Sequence, residues 1–192
     1  MDYQVSVVGG GISGALAALY LGKSRVKTCL IDRGKPSQRL SNPYIGKTTS
    51  LNLSSIASLR DVGIWEDIKK NAQEFNEIYV WDAEGSSSVQ FKAEEISRNE
   101  LGVIVHNNII LDSIYSKLEQ ISEVTLIEEE SLKEISQDQN KIELTSDSGL
   151  RIASELLIGA DGSLSKVRDF SRIPIRTWSY EQLAIVSVSY TH

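Results

Sequence analysis

Three glycines at the spacing G-x-G-x-x-G follow an apolar run at residues 5–8 and constrain the fold more than any other feature of the chain. They are Gly9, Gly11 and Gly14. In this pattern the first glycine permits a tight turn, the second lets a pyrophosphate approach the backbone, and the third lets a helix pack closely on the strand. The sequence therefore predicts a strand, a glycine turn and a helix at residues 12–22, which together begin a parallel α/β sheet.

A second apolar run ends in a carboxylate and supports this interpretation. Residues 28–31 predict a strand, and Asp32 follows them, 18 positions after Gly14. A carboxylate at this point can accept hydrogen bonds from the ribose of an adenine dinucleotide, while the free N–H groups at the start of the helix face the phosphates. A glycine turn that only reverses the chain remains the alternative. The residues expected to bind the cofactor here are Gly9, Gly11, Ile12, Ser13, Gly14, Asp32 and Arg33.

The composition argues against several other kinds of site. The chain has 20 basic and 26 acidic residues, for a net charge of −6, which argues against nucleic acid as a partner. One cysteine, Cys29, and two distant histidines, His106 and His192, provide neither a disulfide framework nor a metal site. No run approaches the ~18 apolar residues of a membrane span, and the first motif leaves no room for a targeting segment. We therefore expect a cytoplasmic protein of a reducing compartment.

The remaining residues alternate between helical and strand patterns. Apolar residues at helical spacing predict helices around residues 56–62 and 110–121, with Asn107 as the cap of the second. Polar, turn-forming residues predict a loop at 33–50, and Glu128 to Glu130 are expected to form a solvated strand end. Strand patterns occur at residues 78–81, 88–91, 124–127, 132–153 and 156–158, the last as a buried strand.

A second glycine-containing turn follows the last of these strands. Residues 157–162 are Leu-Ile-Gly-Ala-Asp-Gly, and the following segment, which carries Ser165 and Arg168, predicts a helix. This turn resembles the "DG" motif of flavin-dependent aromatic hydroxylases, the group typified by para-hydroxybenzoate hydroxylase. An ordinary strand, turn and helix with a surface acid is the alternative. The pairing of this turn with the N-terminal glycine motif, about 150 residues earlier, makes the resemblance specific.

Further segments are similar to the ubiquinone-biosynthesis hydroxylases of that group. Residues 49–55 (TSLNLSS) and 59–65 (LRDVGIW) resemble the stretch "ALN-x-x-S … L-x-x-LG-[VI]-W". Residues 101–107 (LGVIVHN) resemble "LG-x-[IV]-[IV]-E-N", and residues 173–180 (IPIRTWSY) resemble "IP … W-x-Y". Two positions depart from the family: Lys47 replaces an arginine, which loses a bidentate fork, and His106 replaces a glutamate. We expect His106 to be a histidine at a helix start.

The resemblance implies a fold, a cofactor and an activity. The fold would be α/β: a Rossmann-like FAD-binding parallel sheet, an antiparallel β-meander at residues 132–153 crossing over it, and part of a mixed β-sheet substrate domain. FAD would be the cofactor and NAD(P)H the reductant, with Lys47, Asp161 and Gly162 as further cofactor-binding residues. The substrate would be a lipophilic polyprenylated phenol hydroxylated on the path to ubiquinone. No residue is assigned as catalytic, and no metal is implied.

Family members are about twice as long, so we expect this chain to be an N-terminal portion that lacks hydroxylase activity by itself. The expected division is FAD-binding at 1–75, substrate-domain sheet at 76–100, FAD-binding with the meander and Asp-Gly turn at 101–172, and truncated substrate-domain strands at 173–192. The full enzyme would act near the inner face of a membrane, in association with other ubiquinone-biosynthesis proteins. A non-catalytic assembly module is the alternative function. A plain NAD dehydrogenase fits the first motif but leaves the Asp161-Gly162 turn unexplained.

Overall fold

The structure is a computed structural model and describes residues 2–38 and 46–185. Its α-helices are α1 (Ile12–Lys23), α2 (Leu53–Asp61), α3 (Trp65–Lys69), α4 (Asn107–Leu118) and α5 (Lys166–Phe170). Its strands are β1 (Asp2–Val8), β2 (Thr28–Ile31), β3 (Thr48–Asn52), β4 (Gln73–Phe75), β5 (Glu77–Trp81), β6 (Ser88–Lys92), β7 (Gly102–His106), β8 (Val124–Ile127), β9 (Leu132–Gln137), β10 (Ile142–Ser146) and β11 (Arg151–Gly159). A short 3-10 helix occupies Ala93–Ile96.

A six-stranded sheet in the order β8-β2-β1-β11-β10-β9 forms the centre of the molecule. The first four strands are mutually parallel, with Val7 in register with Leu30 on one side and Ile158 on the other. Val7 is fully buried, as expected for an apolar residue in a central strand. The predicted parallel sheet is therefore confirmed, and β1 lies inside it.

The predicted β-meander is confirmed, but it does not form a separate layer. Strands β9, β10 and β11 pair antiparallel in chain order. The sequence analysis treated residues 156–158 as a separate strand, whereas β11 runs without a break through nine residues. Its first half pairs with β10 and most of its length with β1, so the meander extends the parallel sheet. The prediction of a buried strand is wrong for Leu156, which is 52% exposed.

Helices α1 and α4 pack together over one face of the sheet and hold the main core. Ala18, Leu19, Ile110 and Ile114 are fully buried between them. The apolar stripe predicted for α4 is therefore confirmed. The packing of α1 on the sheet depends on a small residue, because a Cβ at Gly22 would lie 2.5 Å from the side chain of Val124 in β8.

The predicted cap of α4 is wrong. His106 is the N-cap residue, no side chain caps the helix, and Asn107 is its first residue. The chain enters α4 directly from β7. Instead of capping the helix, Asn107 makes two other hydrogen bonds. Its N–H donates to the Lys47 carbonyl at 2.9 Å, and its side-chain oxygen accepts from the Thr49 hydroxyl at 2.5 Å. The expectation that His106 stands at a helix start is confirmed.

A second, three-stranded sheet has the order β3-β7-β4. Part of β3 falls in the segment predicted as a loop, so that prediction is wrong for residues 48–50. The reason is tertiary pairing, which overrides local turn propensity: Thr48 is in register with His106 and Ser50 with Ile104. Residues 39–45 of the predicted loop lie outside the described residues.

The predicted strands at residues 78–81 and 88–91 form an antiparallel hairpin, β5-β6, that is a sheet of its own. Its residues are all exposed. Substrate-domain strands were expected at residues 173–192, but residues 173–185 form neither helix nor strand, and residues 186–192 lie outside the described part of the chain. The division into FAD-binding and substrate-domain segments stays a prediction.

No helix among the described residues is long and apolar enough to cross a membrane.

Replacing Gly14 with alanine should destabilise the fold, because its new Cβ would lie 1.9 Å from the Gly9 carbonyl oxygen. We expect a loss of about 1–3 kcal/mol in the free energy of unfolding, the usual range for overpacking, measured by urea denaturation. Gly11→Ala is the matched control, since a Cβ there meets nothing within 4 Å. Equal stability of the two variants would contradict the packing described for this turn.

Candidate dinucleotide-binding cleft

A cleft of about 430 Å³ lies at the carboxyl ends of the parallel strands β1, β2 and β11. This edge is where open α/β sheets bind their ligands. The chain contributes residues to the cleft from four segments: the glycine turn after β1, the end of β2, residues 130–132 at the start of β9, and the turn after β11. Six of the predicted site residues line it: Gly9, Gly11, Asp32, Arg33, Asp161 and Gly162.

Gly9 joins the two turns by close backbone packing. Its φ of +110° is a left-handed conformation that favours glycine, and a Cβ would lie 2.3 Å from the carbonyl oxygen of Ala160. The Gly9 N–H donates to the Ile31 carbonyl at 2.8 Å, and the Ala160 N–H donates to the Val8 carbonyl at 2.7 Å. The ends of β1, β2 and β11 are thereby held together.

Gly11 has a different environment. Its φ of −67° and ψ of 179° are open to any residue, and a Cβ would meet nothing within 4 Å. Neither the backbone nor packing against described residues requires glycine here, whereas a ligand approaching the backbone would. Gly11 is also the N-cap of α1, which has no side-chain cap and no acidic residue in its first turn, so its free N–H groups and positive dipole can receive an anion.

The two residues after Gly11 do not line the cleft. Ile12 is half-buried against the main core, and Ser13 is exposed on the first turn of α1. Gly14 is buried beneath them, against Gly9. These three residues can therefore contribute their backbone N–H groups to a ligand at the helix start.

Asp32 stabilises the loops on both sides of the cleft. One carboxylate oxygen accepts from the Gly10 N–H at 2.6 Å and the other from the Gly34 N–H at 2.7 Å. Each carboxylate oxygen can accept a second hydrogen bond, so these contacts leave capacity for a ribose hydroxyl. Asp32 therefore also stabilises the fold, a role that its spacing from the glycine motif did not predict.

Gly10 and Tyr115 were not predicted as site residues. The Tyr115 hydroxyl, on α4, donates to the Gly10 carbonyl at 2.9 Å, and the tyrosine is only 2% exposed. A hint of this exists in the sequence: a tyrosine beside the apolar stripe of a helix is buried only if its hydroxyl finds a partner. The identity of that partner could not be predicted, because the two residues are 105 positions apart.

The acidic cluster after β8 was expected to be a solvated strand end, and this is wrong for Glu128 and Glu130, which are half-buried. Glu128 accepts hydrogen bonds from the N–H and hydroxyl of Ser37, both at 2.7 Å. Glu130 lines the cleft, and hydrogen bonding to Ser146 and Ser148 lowers the pKa of its carboxyl. The cluster follows a strand that ends at the carboxyl edge of the sheet, so it fastens the loop after β2 in place.

The two residues of the Asp161-Gly162 turn have different roles. The Asp161 carboxylate accepts from the Ser165 hydroxyl at 2.5 Å and from the Lys166 N–H at 2.7 Å, at the start of α5. It therefore fixes the turn to the helix that follows. Gly162 has a φ of +85° and open space where a Cβ would be, which leaves backbone accessible from the cleft.

Lys47 does not line this cleft. It is exposed just before β3, and its carbonyl accepts from Asn107 at the start of α4. That Lys47 binds the cofactor remains a prediction. Across residues 2–38 and 46–185, no group of histidine, cysteine, aspartate or glutamate side chains is arranged to hold a metal ion.

The chain is similar to a known protein family over nearly all of its length. A family model described as "FAD binding domain" matches residues 2–189. The chain belongs to this family. Among curated relatives, the mitochondrial ubiquinone biosynthesis monooxygenase COQ6 of Dictyostelium discoideum is 29% identical, over 96% of this chain and 42% of its own length. The ubiquinone hydroxylase UbiL of Rhodospirillum rubrum is also 29% identical, over 95% of this chain and 42% of its own length. The chain thus spans about two-fifths of the length of these relatives.

Solved structures share the fold. PqsL of Pseudomonas aeruginosa in complex with 2-aminobenzoylacetate superposes with a TM-score of 0.75 at 18% identity, over 94% of this chain and 48% of its own. The flavin-dependent monooxygenase PieE in complex with FAD and substrate superposes with a TM-score of 0.72 at 19% identity, over 90% of this chain and 32% of its own. The α/β fold predicted for this chain is therefore confirmed.

Replacing Asp32 with alanine should destabilise the ligand-free chain, because the Gly10 and Gly34 N–H groups lose their acceptor. We expect the free energy of unfolding to fall by about 1–3 kcal/mol, measured by urea denaturation without ligand. Asp32→Asn keeps one oxygen acceptor and should lose less. If the alanine variant is as stable as the parent, Asp32 does not stabilise the two loops.

Proposed function

We propose that this chain forms the FAD-binding part of a flavin- and NAD(P)H-dependent monooxygenase that hydroxylates an aromatic ring. One observation carries the proposal: a single cleft at the carboxyl edge of the sheet gathers Gly11, Asp32 and the Asp161-Gly162 turn. An NAD dehydrogenase needs the first two features. The third, tied to the first by the contact between Gly9 and Ala160, is the feature shared with flavin-dependent hydroxylases.

The residues of the cleft fit the adenosine and diphosphate of FAD. The diphosphate would lie beside Gly11, where the backbone is open and the N–H groups of Ile12 to Gly14 begin α1. Asp32 would accept from the ribose hydroxyls, and the positively charged Arg33 lines the same cleft. The open backbone at Gly162 would approach the diphosphate from the opposite side. Lys47 would contact the flavin from outside the described cleft.

When bound and reduced by NAD(P)H, the flavin supplies the activation of O₂ that ring hydroxylation requires. The described residues supply binding and orientation. The donors at the start of α1 hold negative charge, and Asp32 keeps the glycine turn in one conformation. Because the turns are fixed by backbone contacts, the cofactor would meet a preorganised surface, which lowers the entropic cost of binding.

The substrate class is proposed from the relatives that match the chain. COQ6 is named a ubiquinone biosynthesis monooxygenase and UbiL a ubiquinone hydroxylase, which supports a lipophilic polyprenylated phenol as substrate of the complete enzyme. Such a substrate resides in membranes, so peripheral association with a membrane or with other proteins of that pathway follows as part of the proposal.

Replacing Gly11 with valine should block cofactor binding while sparing the fold. The Cβ of the added side chain would meet nothing within 4 Å in the open space beside α1, so we expect FAD and ADP affinities to fall at least tenfold, which is about 1.4 kcal/mol. Flavin fluorescence titration and calorimetry with ADP measure the two affinities. Unfolding in urea checks that the variant is folded.

Ser54→Val is the matched control, because it adds a β-branched residue to the exposed first turn of α2, away from the cleft. It should bind FAD and ADP like the parent. If Gly11→Val retains both affinities, the diphosphate does not lie beside Gly11 and the proposed site is wrong.

A further inference from the structure

The glycine turn contains three consecutive glycines, Gly9 to Gly11, and such a sequence has little conformational preference of its own. Glycine populates left- and right-handed backbone regions almost equally, so the peptide between Gly10 and Gly11 could rotate in a free chain. A turn that binds a diphosphate must present its N–H groups in one direction before the ligand arrives. Something outside the turn must therefore fix this peptide.

Two contacts from other elements hold Gly10 from both sides. Its N–H donates to Asp32 at 2.6 Å, and its carbonyl accepts from the Tyr115 hydroxyl at 2.9 Å. A Cβ on Gly10 would lie 2.6 Å from the Tyr115 hydroxyl and 2.6 Å from the Pro36 ring. Tyr115 thus lies directly against the side of the turn that faces α4, with no room for a side chain between them.

The Tyr115 contact determines where the next N–H points. No peptide bond in the described chain is cis, and in a trans peptide the C=O and the following N–H point in opposite directions. With the Gly10 carbonyl directed at Tyr115, the Gly11 N–H points away from α4. Gly11 lines the cleft, and within the described residues its N–H has no acceptor.

We propose that Tyr115 is a positioning residue that orients the Gly11 N–H toward the diphosphate of the bound dinucleotide. The proposal rests on the function proposed above and adds to it a residue on α4 that never touches the ligand. Burial raises the pKa of the Tyr115 hydroxyl, with the charges of Asp32 and Glu128 adding to the effect. The hydroxyl therefore stays protonated and remains a donor to the turn.

Tyr115→Phe removes the hydroxyl and keeps the ring in the core. We expect the affinity of the full chain for ADP to fall about fivefold to tenfold, the usual effect of one lost hydrogen bond. The affinity for adenosine, which has no phosphate, should change less than twofold. Calorimetry and ligand-observed NMR measure the two affinities, and Tyr3→Phe, a buried tyrosine near the opposite end of β1, should change neither.

A ligand-free measurement tests the positioning step separately. The amide nitrogen shift of Gly11 responds to hydrogen bonding at the preceding carbonyl, so Tyr115→Phe should move or broaden the Gly11 signal in a ¹⁵N–¹H spectrum, and Tyr3→Phe should not. An unchanged Gly11 signal would overturn the proposal, as would equal losses of ADP and adenosine affinity. If the parent chain binds neither FAD nor ADP, the proposed function fails, and the Gly11 signal still decides whether Tyr115 orients the turn.

Discussion

The contact between the glycine turn and Ala160 is the interaction on which the rest of the structure depends. Gly9 and Gly14 both have to be glycine because Ala160 and the turn itself occupy the space of their side chains. This contact brings the ends of β1 and β11 together, although the turns are about 150 residues apart in the chain. Predicted binding residues that are distant in sequence line one cleft because these backbones meet.

Much of the framework could be predicted from the sequence, because it depends on local patterns. Apolar runs of three or four residues predicted the strands of the parallel sheet, and the glycine spacing predicted the turn and α1. Alternation and turn residues predicted the hairpin β5-β6 and the strands at residues 132–153, and the family resemblance implied that the latter form a meander. Six predicted site residues line the same cleft for a related reason: residues that follow parallel strands meet at one sheet edge.

The features that escaped prediction depend on partners distant in sequence. Nothing near Thr48 or Thr49 indicates a strand, since β3 exists only through its pairing with β7. Nothing near Asn107 shows that the chain would enter α4 from a strand. Asp161 was predicted to bind the cofactor, and no residue pattern indicated that its carboxylate also bonds to the start of α5. Tertiary contacts determine such roles, and local residue patterns do not show which residues will be in contact.

The order of the strands in the sheet has a consequence for folding. Strand β1 is synthesised before the other strands of the sheet, yet it lies between β2 and β11, with Asp2 in register with Ala153. Until β11 is synthesised and inserted, one side of β1 is an unpaired apolar edge, a state prone to association with other chains. Pairing across so long a loop is slow. The central strand of the finished sheet is therefore its most vulnerable strand during synthesis, and a chaperone that covers this edge would act before β11 arrives.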